Sequence, residues 1–419
     1  MSAPLLAPFQ GWLIRPEWSD RVVASATDSK TPEQRKAIVK NNPFSYLGVT
    51  RTPDDIPEQG SIDELSALST QTFTRIIQSG AYQPSDHAAF YVYRMSSEGE
   101  GDCQIPFTQI GLVGALDVEG LNDGRVLTHE NVRPERTSLI ADHLHHVGAS
   151  ASPIALTHMA MPELQEFLGA ASEAEPEIDV VVEGIRNQVW TLSTRDTSAI
   201  QPLVEDLVLF IADGHHRCAA AIEGRDAHKN NAAFSRTLAV MFPHDHLRVE
   251  AFHRRAPDRS ARSTAELAGA LSAAGTIIPV DSMEAARPRA RGEIGVYHHR
   301  SWSRLLLDPV EHPTTLASLD VERLRREIIH QVLGCDELSE DSNVDYVPES
   351  TGISELVARC DADGFVGLLL HPPDISDIMA IAALGQLMPP KSSFIYPKAP
   401  SGVFLQVLGV GATSHLTPS

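Results

Sequence analysis

Leu209-Phe210-Ile211-Ala212-Asp213-Gly214-His215-His216-Arg217-Cys218-Ala219-Ala220-Ala221-Ile222 passes from a short apolar run through a polar turn into an alanine-rich run. The apolar residues ahead of the glycine read as a buried strand, and the run after Arg217 reads as a helix. The junction brings three nitrogen side chains, His215, His216 and Arg217, to a helix start whose backbone N–H groups already favour an anion. Asp213 can accept a proton or hold a metal ion, and Gly214 lets a ligand or another backbone come close. This chemistry suits a phosphate. An Asp-Gly pair also makes ordinary turns, so residue type alone leaves both readings open.

Outward from this junction the chain alternates between strand-like and helix-like patterns. Strands are expected near residues 88–95, 110–118, 125–127, 154–157, 178–183, 189–192 and 207–212. Helices are expected near 61–79, 135–147, 162–171 and 197–204, the first opened by Ser61 and Glu64 in capping-box spacing. Residues 256–263, rich in Arg, Pro, Asp and Ser, form the best boundary candidate. Beyond them the pattern gives a helix at 264–273, a hairpin around 295–297 and 303–307, a long helix at 320–333, a strand at 365–370 and a helix at 375–384. The fold class is therefore α+β (mixed α/β), cut into residues 1–258 and a C-terminal α/β domain at 259–419.

Composition narrows the function. Lys plus Arg is 34 against 55 for Asp plus Glu, a net charge of −21 that opposes general nucleic-acid binding but permits a small cationic site. Cys103, Cys218, Cys335 and Cys360 share no C-x-x-C spacing, which argues against a zinc ribbon or a disulfide framework. The first ten residues lack the basic start and apolar run of a signal peptide, and nothing approaches the roughly 18 apolar residues of a membrane span. A cytoplasmic protein without membrane partners is expected.

Three further polar islands carry possible chemistry. Thr128-His129-Glu130 follows a strand and precedes a helix, so Glu130 is either a general base or, with Asn131, a cap for that helix. Asp142-His143-Leu144-His145-His146 resembles a metal cluster, yet only Asp142 and His146 have i, i+4 spacing, and a solvated helix end is the simpler reading. The segment 385–402 is stiffened by prolines and carries Lys391, Ser392 and Lys398. Either lysine suits a phosphate if the segment folds back to Asp213.

In order along the chain, these pieces resemble the domain of unknown function 1015 family. The matching residues are Asn42-Pro43 with Leu47-Gly48-Val49-Thr50-Arg51, His129-Glu130 with Arg136, Ser152-Pro153-Ile154, Ala212-Asp213-Gly214-His215-His216-Arg217, and the segment from Met388 to Gly402. The Asp-Gly-His-His-Arg turn is also similar to that of free-serine kinases of the ParB/sulfiredoxin-like fold. The resemblance implies a nucleotide-binding core with an N-terminal elaboration, and a kinase that uses ATP or ADP with Mg2+ to phosphorylate a small hydroxylated metabolite, free L-serine first.

It assigns Glu130 as base, with Asp213 and His216 catalytic. Gly214, His215, His216, Arg217, Lys391, Ser392 and Lys398 join Asp213 around the phosphates. His129, Arg136 and Ser152 face the acceptor, Asp213 takes the metal, and a homodimer is the assembly to look for. The alternatives are a nucleotide-binding regulator without turnover and a metal-dependent hydrolase built on Asp213, His215 and His216. Two features differ from the family: Cys218-Ala219-Ala220 stands where an aromatic residue is expected, and no Pro-Pro-Tyr-Asp-like element is visible near Val22 to Asp28.

Overall fold

The structure is a computed structural model that describes residues 3–56, 61–99, 106–311, 314–339 and 343–416. Cys103 and part of the loop between the strands Tyr91–Glu98 and Pro106–Asp117 lie outside these residues. Two compact units are present. The first comprises Met1–Thr128, Val132–Leu247 and Pro397–Ser419; the second comprises His129–Asn131 and Arg248–Tyr396. Thirteen α-helices among the described residues accompany the sheets, so the class is mixed α/β.

In the first unit the main sheet runs in the order Val126–Leu127, Leu209–Asp213, Ile154–His158, Arg236–Pro243, Pro106–Asp117, Tyr91–Glu98, Ile185–Thr191, Ile178–Val182. Its strands are the expected apolar segments with ends moved by a few residues, except Arg236–Pro243, which was not expected. Two pairs are parallel, Leu209–Asp213 with Val126–Leu127 and Arg236–Pro243 with Ile154–His158, and the other pairs along this path are antiparallel. Leu112, Leu116, Leu156, Ile211 and Met241 pack with Leu164, Leu168 and Ile200 from helices Pro162–Ala171 and Thr194–Val204. That burial fixes the strand that delivers Asp213, because a one-residue slip would turn its apolar side chains outward.

The second unit is built on an antiparallel sheet in the order Gly275–Val280, Ser301–Leu307, Glu293–His298, Val366–Leu370, Phe252–Ala256, Asp345–Pro348. The polar stretch 256–263 is therefore not a linker. It is a closed turn in which Asp258 accepts from Ser260 N at 3.1 Å, Arg262 N at 2.8 Å and Arg262 Nη1 at 2.7 Å. Self-contained hydrogen bonding explains its composition, whereas the chain passes between units after Leu247, and Pro397–Ser419 belongs with the first unit.

The expected long helix at 320–333 begins as Asp320–Arg323 and widens into π-type turns over Leu324–His330. Its buried apolar residues recur every four positions, at Leu324, Ile328 and Val332 and again at Ile329 and Leu333. A spacing of four overshoots the 3.6-residue period, and a wider turn absorbs the excess.

Candidate functional site

The strand Leu209–Asp213 does not end regularly. Ile211 pairs with Leu156 and Asp213 with Ala155, which leaves Ala212 as an extra residue. Such a bulge re-aims the side chain that follows it. Gly214 then adopts φ 104° and ψ 29° and caps the helix His215–Ala227. A Cβ on Gly214 would lie 2.9 Å from Arg217 Nε and 3.0 Å from Nη2, so glycine is required both by its φ and by the arginine folded over it.

Arg217 turns back instead of reaching outward. Its Nη1 donates to Ser152 O at 3.0 Å and Pro153 O at 2.7 Å, while Nη2 pairs with Asp213 Oδ2. Lys398 Nζ lies 3.1 Å from Asp213 Oδ1 and also pairs with Asp28. The Ser152 and Ser401 hydroxyls are 2.6 Å apart. The first unit thus gathers Ser152, Asp213, Arg217 and Lys398 from three distant segments.

Asp213 and Lys398 keep their charges at neutral pH. Burial works against ionisation of Asp213, but Lys398, Arg217 and His215 together hold its carboxyl well below the usual range. Burial likewise disfavours the Lys398 ammonium, and Asp213 and Asp28 more than reverse it, raising its pKa. The side chains of Asp213 and Lys398 remain 24% and 16% exposed, so solvent reaches the pair.

Asp28 escaped the sequence reading. It sits in the short 3-10 turn Thr27–Ser29, in the region where a family-like acidic element was expected and not seen. Arg35, buried in the helix Pro32–Asn41, braces this turn by donating from Nη1 to Lys30 O at 2.8 Å and Thr27 O at 3.3 Å. The same guanidinium is fixed by Asp55, with Nε 2.8 Å from Oδ1. The available signal was a lone Asp just ahead of the Thr31 and Gln34 capping box.

Within the second unit, His129 is buried, its Nε2 lies 2.9 Å from Ser393 Oγ, and its carbonyl accepts from Met388 N at 2.8 Å. Glu130 is half-buried in a bend. It is not the cap of the following helix: Pro134–Val147 starts from Arg133, with proline filling the first turn. Lys391 Nζ stands 5.5 Å from the Phe252 ring centre, and Ser392 Oγ donates to Pro389 O at 2.6 Å. Arg136 is exposed at the start of its helix, His215 is buried and His216 half-buried.

The donor set at Asp213 does not fit Mg2+ as it stands. One carboxylate oxygen faces a guanidinium and the other an ammonium, so a divalent ion would have to displace a cation that neutralises the same charge. A hydrolytic metal on Asp213, His215 and His216 would face the same competition. What the arrangement suits is an anion that exchanges with Asp213 for its cations and meets the first-turn amides of the helix.

The family called protein of unknown function (DUF1015) matches residues 6–322, and the chain belongs to it. No curated protein matches. Among solved structures, a free serine kinase in complex with AMP aligns at 13% identity and TM-score 0.35, covering 73% of this chain and 93% of that one. SbnI with a C-terminal truncation from Staphylococcus aureus aligns at 11% identity and TM-score 0.36, covering 69% and 85%. A conserved hypothetical protein from Pyrococcus furiosus aligns at 12% identity and TM-score 0.35, covering 72% and 97%. Superpositions this loose say nothing about what the present chain binds. Among the described residues, no helix is long and apolar enough to cross a membrane.

Proposed function

We propose that this chain is a nucleotide-dependent kinase of a small hydroxylated metabolite, with free L-serine as the first candidate and ATP or ADP as donor. The observation that carries the reading is the convergence of Lys398 and Arg217 on Asp213 at the start of the helix His215–Ala227. Phosphoryl transfer asks mainly for positioning and for neutralisation of charge on the transferring group. A helix N-terminus with two cations held beside it supplies both, and it needs no metal ligand at Asp213.

In this reading the phosphates meet the first turn from Gly214 to Arg217 and draw on Lys398 as Asp213 yields it. Mg2+ arrives with the nucleotide as its counter-ion. Glu130 is the general base for the acceptor hydroxyl; its separation from the helix cap supports that role. His129, held by Ser393, fixes the backbone beside Glu130. The ParB/sulfiredoxin-like core, the cytoplasmic setting and the homodimer remain part of the proposal.

Incubating the protein with Mg-ATP or Mg-ADP and L-serine, and assaying for O-phosphoserine, tests it. Phosphoserine formation lost in Glu130→Gln is the expected result. Absence of nucleotide turnover with serine and with every other hydroxy amino acid overturns the kinase reading.

A further inference from the structure

The helix His215–Ala227 has a second end, and it meets an imidazole pair that phosphoryl transfer does not use. It packs beside the helix Pro134–Val147, and both finish at the same place. There His145 Nδ1 lies 3.1 Å from His228 Nε2, with the two rings stacked at 5.0 Å and 18°. His228, the cap residue of its helix, is stacked in turn on Phe234 at 4.3 Å. Neither imidazole dangles, because one is clamped between two rings and the other is carried on a helix.

We propose that His145 and His228 form a binding site for a borderline transition cation of the Zn2+ class, joining the C-terminal ends of the two helices. Zinc–nitrogen bonds of about 2.05 Å place two cis ligands about 2.9 Å apart at a right angle and about 3.3 Å apart at the tetrahedral angle. The observed 3.1 Å lies between these limits, so the two nitrogens are already spaced as cis ligands of one ion. Two helix C-termini add the negative ends of their dipoles. Imidazole ligands select Zn2+, Cu2+ or Ni2+ over Mg2+ or Ca2+, and water fills the remaining positions.

Proton balance is simple. In the metal-free pair one ring donates an N–H to the other; on binding, that proton moves to the outer nitrogen of its own ring and both facing nitrogens present lone pairs. His146 packs edge-on against His145 at 5.2 Å, but its Nδ1 donates to Asp142 O at 2.8 Å and so is turned to its own helix; it serves as the control.

Titrating the full chain calorimetrically with ZnCl2 tests the site. One equivalent whose affinity falls at least about tenfold in His145→Gln and in His228→Gln, but not in His146→Gln, is expected, since each variant removes half of the ligand pair. His145 is exposed, so its variant keeps the fold even if His228→Gln disturbs the Phe234 stack. Zn2+ should also raise the melting temperature of the wild type and not of His145→Gln. Absence of saturable binding, or wild-type affinity in His145→Gln, overturns the proposal.

Discussion

The two ends of the helix His215–Ala227, about 20 Å apart at 1.5 Å per residue, are built for opposite charges. At its start the helix is preceded by a bulge and a left-handed glycine, and its neighbours are cations already balanced by carboxylates. At its finish Arg225 is also paired, with Glu119 at 2.6 Å and Asp226 at 3.0 Å, and beside it stand the imidazoles of His145 and His228. The same backbone dipole favours an anion at one end and a cation at the other. Side chains have followed the dipole at both ends, and the difference lies in preparation: the first end holds its cations in reserve on Asp213, while the second offers lone pairs directly.

The largest effect expected at the first end follows Asp213→Asn. Losing the carboxylate leaves Lys398 and Arg217 without their shared anchor, and kcat/KM for nucleotide turnover should fall about a hundredfold or more, as when a preorganised charge is removed from a site. Zinc binding at the other end should be untouched, and a parallel loss there would break the comparison. The variant should also flatten the acid limb of stability. Because the native carboxyl titrates below its unfolded value, its contribution is complete above about pH 4 and is lost as pH falls through the lower native pKa. Urea unfolding of both proteins across that range reads the difference.

Gly214→Ala should cost about 1–3 kcal/mol, the usual scale for a side chain forced into the left-handed region. Here the added Cβ also presses on the Arg217 guanidinium. A denaturant midpoint unchanged from wild type would show that the turn relaxes freely.

A smaller and more selective change is expected from Asp28→Asn. Lys398 would keep Asp213 but lose its second holder, so KM for the nucleotide should rise about tenfold, as for one charged contact of about 1.4 kcal/mol, with kcat nearly unchanged. Asp28→Glu should restore part of the loss; equal falls in kcat and KM effects absent altogether would assign Asp28 to folding alone. Least visible is Cys218, in the first turns of the same helix. Burial pushes its thiol up to about 12, so it should resist thiol reagents at neutral pH in the folded protein. Rapid labelling would mean that this helix end opens.

Much of this organisation was legible in the sequence because local chemistry dictated it. Pro162–Ala171 and Ile154–His158 follow from periodicity, and the turn at Asp213 follows from an apolar run meeting Gly214. The helix Ile353–Asp363 and the strand Phe252–Ala256 were not read, the second because His253, Arg254 and Arg255 look like surface residues. Arg254 is fully buried and pairs with Glu337 at 2.8 Å, a compensation that lies far away in the chain. Distance in sequence also hid Asp28, whose partner is Lys398, and the pairing of His145 with His228, since helix spacing examines only neighbours on one helix. Arg217 was read from its position beside the turn, and its bonds to Ser152 and Pro153 lie too far along the chain for spacing to show.

Whether nucleotide phosphates bind at the Asp213 turn is read most directly from a crystal structure of the protein with bound ATP or ADP. Phosphate oxygens should lie within about 3 Å of backbone N–H groups in the first turn after Gly214, with Lys398 drawn toward them. Phosphates found more than about 8 Å from that turn, beyond any direct contact, would contradict it.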